Sequence, residues 1–305
     1  MKLLLILASF VLFQSVSTSL FAQGCSDAGF CTMGGLHLSD NEESNSNRST
    51  LSVGTFFGFA DNAIMVSGAI IDYQYSISKD FTAGIRATSL LQTGKQTTQF
   101  GLSDVFINGG WNVSSSFSLV GGIKLPLQNS DRMLNSQPLP MDYQSSLGTI
   151  DAIGGISYSI NEDFQLQAGF QIPLTQNKNL FTKEGFIGSS VDFSDFQNTL
   201  NYHRAADVMF RVNYSVVKNQ NFSFSTGVLP IYHLANDTYI SSNGTRQEIV
   251  DSKGLTINVS LFIHYSLTDK SALELTMASP IKTRSARPDG LTRGFLSSLD
   301  YKFSF

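Results

Sequence analysis

The chain has 305 residues, of which 14% are charged and 11% aromatic, and a formal net charge of −4. An ordinary globular domain carries about a quarter charged residues, so this low share at near-zero mean hydropathy suits a protein whose apolar residues alternate rather than cluster. A mildly acidic balance leaves no basic footprint for nucleic acid.

Residues 1–22 read as an export signal: Lys2 supplies a short positive start, 3–16 are mostly apolar, and 17–22 offer small residues before a cleavage point at Ala22/Gln23. Lipidation at Cys25 is the rival, although Gln23 sits badly where a lipobox wants a small residue. Cys25 and Cys31 are the two cysteines of the chain. In an oxidising compartment they can close a small loop by a disulfide, and without a companion histidine cluster they make a poor metal site. No cofactor is expected. No later run reaches the roughly 18 apolar residues of a spanning helix. A membrane protein lacking such helices must be a closed barrel, because lipid offers no partner to an open sheet edge.

Residues 32–50 are polar, rich in Ser and Asn, and follow neither helical nor strand period. With 23–31 they form an N-terminal segment that serves either as a tail or as a plug. From Leu51 a repeat takes over. Five segments share one plan, an aromatic, a short polar turn, then an apolar residue opening another alternating run: Tyr75 to Phe81, Trp111 to Phe117, Tyr158 to Phe164, Tyr214 to Phe222 and Tyr265 to Leu273. Each reads as a β-hairpin with a tight turn, and the flanking rings form a belt suited to a membrane–water interface.

The opposite strand ends differ. Four rising strands reach Pro126, Pro173, Pro230 and Pro280, and proline belongs where ladder pairing stops. Beyond them run long polar connections, about 127–145, 175–202, 233–252 and 282–290. Tight turns on one side and long loops on the other are the asymmetry of an outer-membrane barrel. One opening strand, five hairpins and a closing strand predict an all-β, antiparallel transmembrane barrel of about 12 strands over 51–305, with tight periplasmic turns and long extracellular loops. In the closing strand, Phe295, Leu299, Tyr301, Phe303 and Phe305 share one face, while Ser298, Asp300, Lys302 and Ser304 share the other. Alternating aromatics ending in Phe305 resemble the assembly signal of such barrels, with Tyr301, Phe303 and Phe305 as its residues.

Parity separates lipid from lumen. Asp104, Asp151 and Asp207 each lie seven residues before a belt aromatic, so they face inward at similar height. Lys124 falls on the strand between the first two. These residues, with Arg86 and Arg211, form either a polar constriction or a set of pairs bracing the wall. Phe106, Ile153, Met209 and Phe262 also have inward parity and would make an apolar patch in the lumen. Two outer loops are unusually apolar: one holds Met133, Leu134, Leu139, Met141 and Tyr143, the other Leu180, Phe181, Phe186, Ile187, Phe193 and Phe196. They fold over the mouth as a lid or make a small outer cluster.

Gly101 to Trp111 (GLSDVFINGGW), Gly122 to Pro126 (GIKLP) and Gly148 to Tyr158 (GTIDAIGGISY) resemble the outer-membrane transporter family named for the MetA pathway of phenol degradation. The resemblance covers about 101–174 and implies a small barrel that passes small, often hydrophobic, molecules. Cys25 and Cys31 fall outside it. Two other functions compete. His264 and Ser266 have the His-x-Ser spacing of outer-membrane phospholipases, but both face inward and no Asn-Gly follows, whereas a lipase needs nucleophile, base and orienting group open to lipid; an enzyme is not expected. His37, His203 and His233 read as isolated polar residues on tails or loops. A closed cylinder filled by its own side chains can also be a non-conducting accessory barrel. The partners implied are the lipid bilayer and the outer-membrane assembly machinery of a Gram-negative bacterium, with a small-molecule solute and a protein partner in an envelope complex left open.

Overall fold

Period-two alternation becomes strand along the whole of the barrel region. The computed structural model describes residues 49–289 and 293–305; the export signal, Cys25, Cys31 and His37 lie outside the described residues. Within them run β1 (Ser49–Ala60), β2 (Met65–Ser76), β3 (Phe81–Thr93), β4 (Thr98–Asn112), β5 (Phe117–Pro126), β6 (Met133–Leu134), β7 (Gln137–Pro138), β8 (Asp151–Ser159), β9 (Phe164–Pro173), β10 (Asp207–Lys218), β11 (Phe222–His233), β12 (Thr238–Ile240), β13 (Arg246–Glu248), β14 (Gly254–Thr268), β15 (Ser271–Lys282) and β16 (Arg293–Ser304). Among the described residues, twelve of these strands close into an antiparallel barrel; β6–β7 and β12–β13 are small hairpins in the outer loops. No described helix is long and apolar enough to cross a membrane.

Every barrel strand pairs with its neighbours in the chain, and β1 pairs with β16 to close the cylinder. At that seam Leu51 stands opposite Phe303, and Ser49 and Phe305 exchange backbone hydrogen bonds of 2.9 and 3.1 Å. β1 thus begins at Ser49, inside the span read as polar segment, because pairing to the last residue extends it. Gly54 has a packing reason: a Cβ there would overlap the Asp300 side chain that crosses it from β16.

The tight turns explain the repeat. Its fourth residue is Ser78, Ser114 or Asn161, and each side-chain oxygen accepts the backbone N–H three residues on, from Phe81 (3.1 Å), Phe117 (3.1 Å) and Phe164 (2.8 Å). Short polar side chains that bond their own backbone stabilise such turns locally. The belt aromatics then meet between hairpins. Phe81 stacks on Trp111 with centroids 5.5 Å apart, Phe164 lies 4.6 Å from Tyr214, and Phe117 and Phe222 stand opposite Tyr158 and Tyr265 in register.

The outward faces are apolar and bare. Val53 on β1, Ile85 on β3, Ile107 on β4, Ile156 on β8, Val228 on β11 and Leu299 on β16 are each more than two-fifths exposed. Soluble monomers rarely expose contiguous apolar patches beyond a few hundred Å². A continuous band of this kind requires lipid around it.

The prolines need a correction. β5 and β9 end at Pro126 and Pro173, but β11 continues past Pro230 to His233 and β15 past Pro280 to Lys282. Pairing is interrupted instead of ended. The β10–β11 register lapses opposite Pro230 and resumes at Met209↔Ile231, and a register shift lies where Asn258 meets Pro280. A missing N–H removes one bond, and the strand's other edge carries it onward.

Candidate functional site: the lumen and its outer mouth

Buried charges are costly unless paired, so the inward charges reveal how the lumen is organised. Lys124 on β5 and Asp151 on β8 are register partners with Nζ 2.8 Å from Oδ2, and both are almost fully buried. Gln171 on β9 donates to the same Oδ2, and Lys124 also reaches the Thr149 hydroxyl at 3.3 Å. One strand away, Asp104 accepts from the hydroxyl of Ser146. Arg86 faces Asp72 at 3.7 Å, nearer the turns. Arg211 lies with its guanidinium carbon 5.9 Å from the centre of the Phe262 ring. Asp207 is held by Arg204 and His233, a pairing that parity could not foresee.

Phe106, Ile153 and Met209 pack into one buried cluster with Val120 and Leu229, and Ile231 lies against it. Phe262 is not part of that cluster; it serves Arg211 instead. Met209 stands in register with Gly169 on the intervening β9, and that glycine stands in register with Gly155 on β8, so no side chain lies on that row between β10 and β8. One stretch of the inner wall is therefore apolar, directly beside the Lys124–Asp151 pair.

The outer mouth is narrowed by the connection between β7 and β8, which turns into the barrel. Gln92 on the inner face of β3 donates to the carbonyls of Asp142 (2.6 Å) and Gln144 (3.0 Å). Ser145 donates to the Leu102 carbonyl, Ser146 to Asp104, and Thr149 meets Lys124. The polar residues 144–146 and 149 are essentially fully buried, so this stretch lies against β3, β4 and β5 rather than in solvent. Above it, Leu139 and Tyr143 join Phe181, Phe186, Phe193 and Phe196 of the next loop on Ile64, Val66 and Leu90 of the β1–β3 rim. Phe193 is the hub, with ring contacts to Tyr143, Phe181, Phe186 and Phe196. Amide side chains pin the backbone: Asn179 donates to the Ser130 and Leu139 carbonyls and accepts from Thr199 and the Phe181 N–H. Met133, Leu180 and Ile187 stay exposed, and Met141 packs on Leu147 apart from the main cluster. Burial and the nearby Asp61 charge push the Asp142 carboxyl up to about 7.

His233 corrects the reading of an isolated loop histidine. It ends β11, buried, with Nδ1 2.6 Å from Asp207 and Nε2 2.8 Å from Asp237. Arg204, Arg284 and Asp289 complete the cluster, with Arg284 2.9 Å from Asp289 and donating to the Ser252 carbonyl at 2.7 Å. Despite its burial, Arg284 and Arg204 hold the Asp289 carboxyl below the ordinary range. Burial and the charges of Asp237 and Asp289 push the neighbouring Tyr202 hydroxyl well up. His233 has the inward parity of Leu229 and Ile231, so following β11 past Pro230 would have placed it; its partners sit in loops and left no signal. His203 makes a backbone bridge to Thr238.

The His-x-Ser pair also gains a partner. His264 Nε2 lies 3.2 Å from the Ser266 hydroxyl, and Nδ1 lies 3.2 Å from Glu274 on β15. Glu274 is shared with Lys302 at 2.6 Å. In register, His264 stands between Ser223 on β11 and Glu274 on β15, and Ser266 opposite Ala272. The chain of contacts is a polar brace near the turns.

These features define a closed membrane barrel of the outer-membrane type, with its mouth folded inward. No family model matches the chain, and no curated protein matches it. Among solved structures it is similar to an outer membrane channel from Pseudomonas putida F1, at 11% identity and TM-score 0.55, over 88% of this chain and 99% of that one. It is also similar to the translocator domain of the autotransporter NalP from Neisseria meningitidis, at 8% identity and TM-score 0.52, over 95% and 100%. At these identities the likeness is one of fold.

Proposed function

We propose that this protein is an outer-membrane channel for the passive passage of small molecules with hydrophobic character, in line with the resemblance along 101–174. The observation that carries the reading is the inner wall. Phe106, Val120, Ile153, Met209 and Leu229 form one buried apolar cluster inside the cylinder, beside the paired charges of Lys124 and Asp151. An apolar strip next to a few oriented polar groups is the composition of a site for small ligands. Asp104 and Lys124, which meet Ser146 and Thr149 of the in-turned loop, act in this reading as anchors of the constriction.

The test is permeation into liposomes holding the refolded mature chain, with solutes graded in size and polarity, with and without residues 32–50. Faster entry of small apolar solutes than of sugars of equal size supports the reading. Equal, background rates for both forms would sink it. A second reading, a non-conducting accessory barrel, is favoured by one specific observation: the buried aromatic cluster of Phe181, Phe186, Phe193 and Phe196 over the mouth. Opening that cluster by mutation without gaining permeation would support it. An export signal ending near Ala22 and a Cys25–Cys31 disulfide belong to the same proposal, and mass spectrometry of the mature, non-reduced protein checks both.

A further inference from the structure

His233 presents both ring nitrogens to carboxylate oxygens, Asp207 at 2.6 Å and Asp237 at 2.8 Å. A carboxylate oxygen only accepts, so satisfying both contacts takes two N–H donors, which only the imidazolium has. The charge balance agrees. Asp207, Asp237 and Asp289 supply three negative charges, Arg204 and Arg284 two positive ones, and an imidazolium brings the buried cluster to neutrality. The groups come from every element packed there: Asp207 from β10, Arg204 and Tyr202 from the segment before it, Asp237 from the loop after β11, Arg284 and Asp289 from the stretch after β15.

The two carboxylates differ in setting. Asp207 sits in the wall, in register with His233 itself. Asp237 belongs to the loop carrying β12–β13, and it organises that loop: it accepts from the Ala205 N–H, its own N–H bonds the Ser252 hydroxyl, and its carbonyl accepts from Ile249. Beside it, Thr238 and His203 exchange backbone bonds. We propose that His233 is a proton-dependent clasp of the outer mouth, holding the 234–253 loop to the barrel rim as an imidazolium and releasing it when the proton is lost. A neutral ring donates once and turns a lone pair toward the other carboxylate, leaving one buried negative charge uncompensated. Asp207 keeps the close Arg204 contact, whereas the arginine at Asp237, Arg284, stands 3.9 Å away, so the contact to Asp237 is the one that opens. The clasp does not depend on whether the barrel conducts.

The experiment uses the folded chain in nanodiscs with His37, His203 and His264 changed to Gln, so that His233 is the one imidazole. Its ring signals are followed by NMR from about pH 6 to pH 9, and amide exchange of 199–206 and 234–252 is measured over the same range, corrected for intrinsic rates. The expected result is a doubly protonated ring at about pH 7, with loss of the second proton accompanied by loss of protection in both segments. Above that midpoint protection falls about tenfold per pH unit, as linkage to one proton requires. Asp237→Asn, which accepts from Nε2 without a charge, should fold and remove the pH dependence. A ring already neutral at about pH 7, protection that does not follow the proton, or an unchanged pH dependence in Asp237→Asn would each overturn the proposal.

Discussion

Lys124 and Asp151 face one another across the β5–β8 ladder at 2.8 Å, with side chains 1% and 0% exposed. Two other ion pairs that bridge barrel strands, Arg86–Asp72 and Lys302–Glu274, keep more contact with solvent. Lys124 also faces Asp104 electrostatically across the same wall. Removing one partner therefore leaves a charge that water cannot easily reach.

Lys124→Met should destabilise the barrel by about 3–5 kcal/mol, the cost of stranding a buried charge. Lys124→Met with Asp151→Leu should recover most of that loss. Denaturant unfolding in detergent micelles measures both. Asp104→Asn with Asp151→Asn should lower heat resistance and leave ion selectivity nearly unchanged; a reversal of selectivity at full heat resistance would show that these carboxylates select ions rather than brace the wall.

Phe193→Ala removes the hub of the mouth cluster, and truncating a buried Phe costs about 3–5 kcal/mol. The loss should appear as protease cleavage within 174–206 at unchanged barrel melting, because the cluster is built on the rim. Under the channel reading, solute entry should also rise.

Asp142 supplies a pH dependence with a definite sign. Its carboxyl has an ordinary value of 3.8 and is raised to about 7 in the fold. Between those values the folded loop holds a proton that the unfolded chain has released. Loop stability is full below 3.8, is lost as pH rises to about 7, and stays level above it. Protease resistance of the 127–150 segment across this range should follow that curve, and Asp142→Asn should flatten it.

Deleting Phe305 removes a backbone pair with Ser49, while Tyr301→Ser with Phe303→Ser leaves the seam's backbone intact and strips outward aromatics. Both changes should block outer-membrane assembly and leave export intact, read by heat-modifiable gel mobility and signal cleavage. Normal assembly of the Ser variant, with failure of the deletion, would place the effect in seam pairing alone.

The barrel is legible in the sequence because each strand separates two solvents. Lipid outside and a polar lumen inside force every second residue to declare its side, as Leu255 and Thr256 do on β14. The hairpin turns are legible because Ser78, Ser114 and Asn161 recur at one position. Parity also identifies Lys124 and Asp151 as inward, but it gives a side and not a partner. Arg211 has the parity of Asp207 and meets Phe262, while Asp207 takes Arg204 from a loop without any period. Leu139, Met141 and Tyr143 mark the connection after β7 as apolar enough to fold over the mouth, but its attachment is not legible: Gln92 holds it through main-chain carbonyls, which every residue carries alike.

The β1–β16 seam sets the order in which the molecule can be built. All other barrel pairings join strands that follow one another in the cylinder and in the chain, whereas Thr50 and Ser304 meet across 254 positions. Hairpins can form early at small entropic cost, but the seam must bring the two ends of the cylinder together and carries the largest loop-closure penalty. Before it forms, both β1 and β16 are unpaired edges that invite association with other chains. The seam should therefore be the slow step of assembly, and variants weakened there should accumulate as aggregating open sheets while their individual hairpins remain sound.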